Sequence, residues 1–205
     1  MLFDLTRSEL VDVFGEDRVA TVPATAFPPA TADTEGARLL RTVGVPTGTL
    51  LLRPADEDDG LLPLVQDVVR VEDFEDAAEG AGGWPVIGWL LNAHLALDPV
   101  SGTVHAFDPD EETVAELHAD VSSLVQVTLR LQRLLEEFTF SGDEDEAEAD
   151  FERLDGEVDR IREETSSVDP LPFRDDETVW SVVGDEIAMG QRFKGNGPVA
   201  RSLHG

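Results

Sequence analysis

The sequence predicts an α+β fold: a mostly antiparallel sheet covered by helices, with a helical pair appended toward the C-terminal end. Three observations predict it. Residues 84–107, WPVIGWLLNAHLALDPVSGTVHAF, contain three short runs rich in apolar, β-branched and aromatic residues, the composition of strands. Asp98-Pro-Val-Ser-Gly102 joins the second run to the third, and there the Asp side chain can close a turn while Gly102 takes positive φ. From Asp120 onward, apolar residues return at three- and four-residue steps, which places them on one face of a helix.

Taken in order, residues 6–14 set Leu10, Val13 and Phe14 at helical spacing, with Asp4 or Thr6 as the N-cap and Gly15 as the stop. Residues 18–22, RVATV, alternate like a strand and end at Pro23, and residues 24–33, with Pro28 and Pro29, read as a loop. A second helix over 34–43 turns Leu39, Leu40 and Val43 inward and ends at Gly44 and Pro46. Residues 49–53, TLLLR, read as a buried strand. The PADEDDG cluster that follows holds four consecutive acids, Asp56 to Asp59. A calcium loop needs carboxylates at alternate positions, a central Gly and a distant Glu, so the cluster reads as a solvated loop. Residues 61–71 are strand-like or mixed. The GAGG run at 80–83 is slack between elements, since no Lys-Ser or Lys-Thr follows it to make a phosphate loop.

The central strands are 84–91, Ala93–Leu97 and 103–107, with 84–91 the most deeply buried. Asp120 caps the helix 120–138, whose stripe is Val121, Leu124, Val127 or Thr128, Leu131, Leu134 or Leu135, and Phe138. Arg130, Gln132, Arg133, Glu136 and Glu137 fall mostly off that stripe. DPDEE at 108–112 sits between a strand end and this helix, where Asp108, Asp110, Glu111 and Glu112 with Asp98 would form one acidic rim beside the hairpin. Two further helices follow, 149–164 with Phe151, Leu154, Val158 and Ile161 inward, and 175–189 with Val179, Trp180, Val183, Ile187 and Met189 inward. The reading is one domain over 1–190, with its core at 84–140 and a helical extension at 149–190, and a Gly-rich tail, 191–205, that frays.

Charge is the strongest compositional signal: 44 acidic residues against 15 basic ones give a formal charge of −29. Fourteen of the basic residues are arginine and one is Lys194. Two readings stand side by side, a solubilising surface and an acidic surface shaped for a basic partner. Both argue against nucleic-acid binding, which requires clustered Lys or Arg on phosphate. No run reaches the roughly 18 apolar residues of a membrane helix, and MLFDLTRSEL lacks the features of a signal peptide. A cytoplasmic protein without membrane contact is expected. There is no cysteine, hence no disulfide, thiolate ligand or thiol nucleophile.

The order of several pieces carries a resemblance. Trp84 and Gly88 stand in the first central strand; Leu97, Asp98, Ser101, Gly102 and Val104 frame the turn; an acidic loop follows; and DVSSL, 120–124, opens the long helix. LLRTVGVP at 39–46, residues 168–170 and TVWSVVGDEIAMG at 178–190 continue it over most of the chain. This arrangement resembles the SUKH superfamily of bacterial immunity proteins, and within it the fourth group. The chain departs from the group at LRLQ, 129–132, in place of a more aromatic helix centre, and in its high acidity. The resemblance implies a protein that binds and neutralises the toxin domain of a bacterial polymorphic toxin system, a nuclease or nucleic-acid deaminase, without a cofactor. Trp84, Gly88, Asp98 and Gly102 would hold the fold, and Asp108, Asp110, Glu111 and Glu112 would meet the partner.

Catalytic motifs are absent. No G-x-S-x-G occurs, and Ser122 and Ser123 stand at a helix start, where hydroxyls cap. If Leu97 pairs with Thr103, His94 and His105 point to opposite faces of the sheet and make no metal pair. No catalytic or metal-binding residue is expected, and the oligomeric state is left open. The alternative reading is an interaction or regulatory module of the same fold with no toxin involved, and a small-molecule-binding domain or enzyme comes third.

Overall fold

The computed structural model describes residues 1–47 and 60–193. The expected strand 49–53, the acids 56–59 and the residues from Lys194 onward lie outside the described residues. The chain packs as two compact units, Met1–Thr128 and Leu129–Gly205.

In the first unit, Thr6 opens α1 (Arg7–Phe14) with a capping box. The Glu9 amide donates to the Thr6 hydroxyl at 3.3 Å, and the Glu9 carboxylate accepts from the Thr6 amide at 2.8 Å. Leu10 and Phe14 are its buried residues. Thr34 caps α2 (Glu35–Thr42) through the Ala37 amide, and Leu39, Leu40 and Val43 are buried as expected. The expected strand 18–22 shrinks to β1 (Val19–Ala20), which pairs antiparallel with β2 (Val45–Pro46) as a separate two-stranded sheet. The turn between α2 and β2 depends on Gly44, at φ +88, where a Cβ would stand 2.6 Å from the Ala20 carbonyl oxygen.

The main sheet holds β3 (Val86–Leu90), β4 (Ala93–Leu97), β5 (Val104–Asp108) and β6 (Thr113–His118), in that spatial order and all antiparallel. Two expectations are corrected here. Residues 113–118, for which the sequence predicts no element, form β6, a fourth strand. It is an edge, with Thr113, Ala115 and Glu116 exposed and only Val114 and Leu117 as apolar core contacts, so its sequence shows a weak strand pattern. The most buried strand is β4, all five residues of it, whereas β3 is the opposite edge and leaves Trp89 37% exposed.

Both faces of this sheet are covered. On one, Val86, Ala96, Phe107 and Trp84 pack under Val65, Val69, Phe74 and Ala81. Residues 61–71, read as strand-like or mixed, supply this cover as one helical turn, α3 (Val65–Val68), joined to the sheet by a bridge between Leu64 and Pro85. On the other face, α2 approaches closely at Gly36, where a Cβ would stand 2.9 Å from Val121 and 3.1 Å from Leu97. The long helix α4 (Val121–Glu137) starts as expected: Asp120 accepts from the Ser123 amide at 3.0 Å. Residues 121–125, 127 and 128 are all buried, a wider surface than the single stripe read from spacing.

The second unit contains the rest of α4 with α5 (Ala147–Ser166) and α6 (Val179–Ala188), the expected helical pair. Leu154, Val158 and Ile161 of α5 and Trp180, Val183 and Ile187 of α6 are buried. Gly184 lets the pair close: a Cβ there would stand 3.2 Å from Val158. Arg162 ties α5 to α6 by donating to the Ser181 carbonyl at 3.0 Å and to Asp185 at 2.6 Å. Met189, expected inward, lies past the helix end and is 59% exposed. Phe151, expected inward on α5, is half-buried. No described helix is long and apolar enough to cross a membrane.

Candidate partner-binding surface

Strands of a meander alternate in direction, so its successive turns fall at opposite ends of the sheet. Asp98–Gly102 links β4 to β5 at one end. Leu91–Asn92, between β3 and β4, and residues 109–112, between β5 and β6, share the other. The expected rim joining Asp98 to the 108–112 acids therefore does not exist: five residues of strand, about 17 Å, lie between the two ends.

At the Asp98 end the carboxylate serves its own turn. Asp98 accepts from the Val100 amide at 2.8 Å and from the Ser101 hydroxyl at 2.6 Å, while its carbonyl accepts from the Gly102 amide at 2.9 Å. Gly102 sits at φ +83, as the turn requires. Burial alone would raise the Asp98 carboxyl. The Ser101 hydroxyl and the Val100 and Ser101 amides outweigh it and hold the group below its ordinary value. Trp84 is buried with its ring 4.6 Å from His105 and edge-on to Phe107 at 6.3 Å, and Gly88 pairs with Leu95 just after a bulge in β3.

The other end is built differently. Asp108, half-buried at the close of β5, accepts from the Asp110 amide at 2.9 Å and the Glu111 amide at 3.2 Å. Asp110, Glu111 and Glu112 are exposed; Asp110 accepts from the Asn92 side-chain amide at 3.3 Å, and none of the three pairs with a cation among the described residues. Beside them stand Leu91, 49% exposed, and Trp89. Leu91 and Glu112, both at φ +53, are the only non-glycine residues with positive φ among the described residues. Such a conformation is uncommon for side chains of this bulk and collects at functional positions. The expectation of a buried strand over 84–91 does not single out Trp89, Leu91 or Asn92; their signal in the sequence is the Leu-Asn pair between two apolar runs.

The histidine reading is also corrected. Leu97 pairs with Val104, not Thr103, so His94 lies opposite Phe107 and His105 opposite Ala96, and both histidines share one face. Each packs on its own indole, His94 on Trp89 at 4.3 Å and His105 on Trp84. Burial lowers the pKa of both, offset at His105 by Glu116 and Asp98. His118, fully buried, is pushed down to about 3 by burial and meets the Ser123 hydroxyl at 3.0 Å through Nδ1, so it is neutral in the folded protein. Among the described residues, no group of three or more His, Asp or Glu is placed to hold a metal ion.

The family profile described as SUKH-4 immunity protein matches residues 5–186. The chain belongs to the SUKH-4 immunity protein family. The match reaches from α1 to α6 and therefore takes in both units and both ends of the sheet. No curated protein and no solved structure matches the chain. Membership in the SUKH-4 family gives the function class, immunity, and implies a toxin as partner.

Proposed function

We propose that this protein neutralises, by stoichiometric binding in the cytoplasm, the toxin domain of a bacterial polymorphic toxin system, and that it makes contact through the β3–β4 and β5–β6 turns. The toxin would be a basic nuclease or nucleic-acid deaminase, since an enzyme that grips phosphate carries the Lys and Arg that Asp110, Glu111 and Glu112 would meet. The observation that carries this reading is convergence. Three acids without cation partners among the described residues, an exposed Trp and Leu, and the two described non-glycine residues with positive φ occupy one end of the sheet.

The parts divide the work as protein interfaces commonly do. Acids at the rim speed encounter with a basic partner in a salt-sensitive way, and a large aromatic such as Trp89 supplies an anchor that excludes water. A standard interface of about 1,600 Å² would extend beyond these turns. Asp108 supports the turn from inside, and Trp84, Gly88, Asp98 and Gly102 hold the sheet that presents it. The mechanism needs no cofactor and no contact with nucleic acid or membrane.

Growth of a bacterium expressing the toxin domain encoded beside this protein, with and without it, tests the proposal. Rescue by the wild-type chain, lost on combined Asp110→Lys, Glu111→Lys and Glu112→Lys substitution with the fold intact, is the expected outcome. A neighbour that is harmless, or that kills regardless, overturns it in favour of an interaction module unconnected with toxins.

A further inference from the structure

In a chain with 44 acids and 15 bases, one cleft gathers four arginines. It lies in the second unit between the C-terminal half of α4 and α5, and has a volume of about 570 Å³, within the range of small-molecule sites. Arg130 and Arg133 line it from α4, Arg153 and Arg160 from α5, with Glu137 and Glu157 in the lining and Asp150 and Glu164 paired to its arginines from outside. Steps of three along α4 and seven along α5 keep each arginine pair on one helix face.

The cleft is organised. Arg153 donates to the Thr139 carbonyl at 2.8 Å and to Asp150 at 2.7 Å, and its guanidinium lies over the Phe138 ring at 4.4 Å. That ring is one of a half-buried aromatic group, packed edge-on against Phe140 at 5.0 Å. Glu164 pairs with Arg130 and stands 3.6 Å from Arg160, bridging the two from one side. The pKa of Arg130 is lowered, by burial first and then by the charge of Arg160, so two like charges face each other here. Arg133 and Arg160 keep 48% and 55% of their side-chain surface exposed, and each is ion-paired, Arg133 with the exposed Glu137 at 3.6 Å and Arg160 with Glu157 as well as Glu164.

We propose that this cleft binds a phosphate-bearing anion of nucleotide size, with Arg133 and Arg160 gripping the phosphates from opposite helices and Phe138 forming an apolar wall. A guanidinium presents a planar fork of donors that fits phosphate oxygens two at a time. A phosphate group, with three oxygens and up to two charges, can bridge two such forks in place of the Glu137 and Glu157 carboxylates that serve them singly. Glu137 and Glu157 hang on exposed side chains and can turn away as the anion enters.

The test is calorimetric titration of the full chain with inorganic pyrophosphate and, separately, with ATP, at about 0.15 M salt. Saturable binding is expected, weakened about tenfold or more by Arg133→Gln and by Arg160→Gln and unchanged by Arg70→Gln, an exposed arginine of the first unit. Tighter binding of ATP than of pyrophosphate identifies a nucleotide, and equal binding identifies the phosphate group alone. Circular dichroism and thermal melts check the fold of each variant, and Arg133→Gln, at the exposed position, decides if Arg160→Gln is unfolded. Absence of saturable binding to both probes, binding of an acidic peptide in their place, or wild-type affinity in the folded variants overturns the proposal.

Discussion

The two ends of the central sheet use the same residue type for opposite purposes. At the β4–β5 end, Asp98 gives its carboxylate oxygens to Val100 and Ser101, and the turn faces solvent with its charge already engaged. At the other end, Asp108 does the equivalent job for the Asp110 and Glu111 amides. Asp110, Glu111 and Glu112 are then held out beside Trp89 and Leu91 without a cation partner among the described residues. An acidic count alone cannot separate these roles. The hydrogen-bond partners do, and they divide structural acids from acids available to a partner.

The largest expected effect is on the available acids. Combined Asp110→Lys, Glu111→Lys and Glu112→Lys substitution should lower affinity for the toxin about 100-fold or more, mainly through the association rate. Thermal stability should move by no more than about 0.5 kcal/mol, as for other exposed substitutions. A comparable loss of stability would break the comparison.

A pH series sharpens it. His118 has a folded pKa of about 3 against an ordinary value of 6.5, so between those limits the unfolded chain binds a proton that the folded chain refuses. Stability therefore falls as pH falls from 6.5, by up to about 1.4 kcal/mol per unit, and His94 and His105, also lowered, act in the same direction. Asp98 behaves otherwise: its pKa is depressed, so its contribution is present above the ordinary carboxylate value of 3.8 and is lost only below it. Urea melts at pH 7, 6 and 5 should show the decline, and His118→Gln should flatten it.

Smaller effects are expected at the structural end. Asp98→Ala removes the acceptor of two hydrogen bonds and should cost about 1–2 kcal/mol with toxin affinity unchanged, measured by denaturant melts beside a binding assay. Gly102→Ala should cost about 1 kcal/mol, from the positive φ alone, because nothing stands within 4 Å of the added Cβ.

Much of the fold was legible in the sequence because local signals agreed. The Asp98–Gly102 turn, the cap at Asp120, the cap at Thr6 as one of two candidates, and the apolar spacing of α4, α5 and α6 each had a mechanism that the structure bears out. β6 was not legible, because an edge strand that is half solvated shows no alternation. β1 was legible as the core of the 18–22 strand, whereas β2 was obscured because a two-residue strand lies below any period. The register of β4 on β5 differed by one residue, and that slip moved His105 to the other face. The candidate surface was legible as a count of acids but not as a place. Putting Asp98 and the 108–112 acids together ignored strand direction, and Trp89 and Leu91 joined the surface only once β3 proved to be an edge.

The most direct test of the central claim is the association rate of the purified protein with its toxin across a salt series, for the wild-type chain and the triple lysine variant. The account predicts a fast wild-type rate that falls steeply with salt, and a slow variant rate that is nearly flat. Equal rates and equal slopes would contradict it, and would return the acids of the β5–β6 turn to the role of a solvated surface.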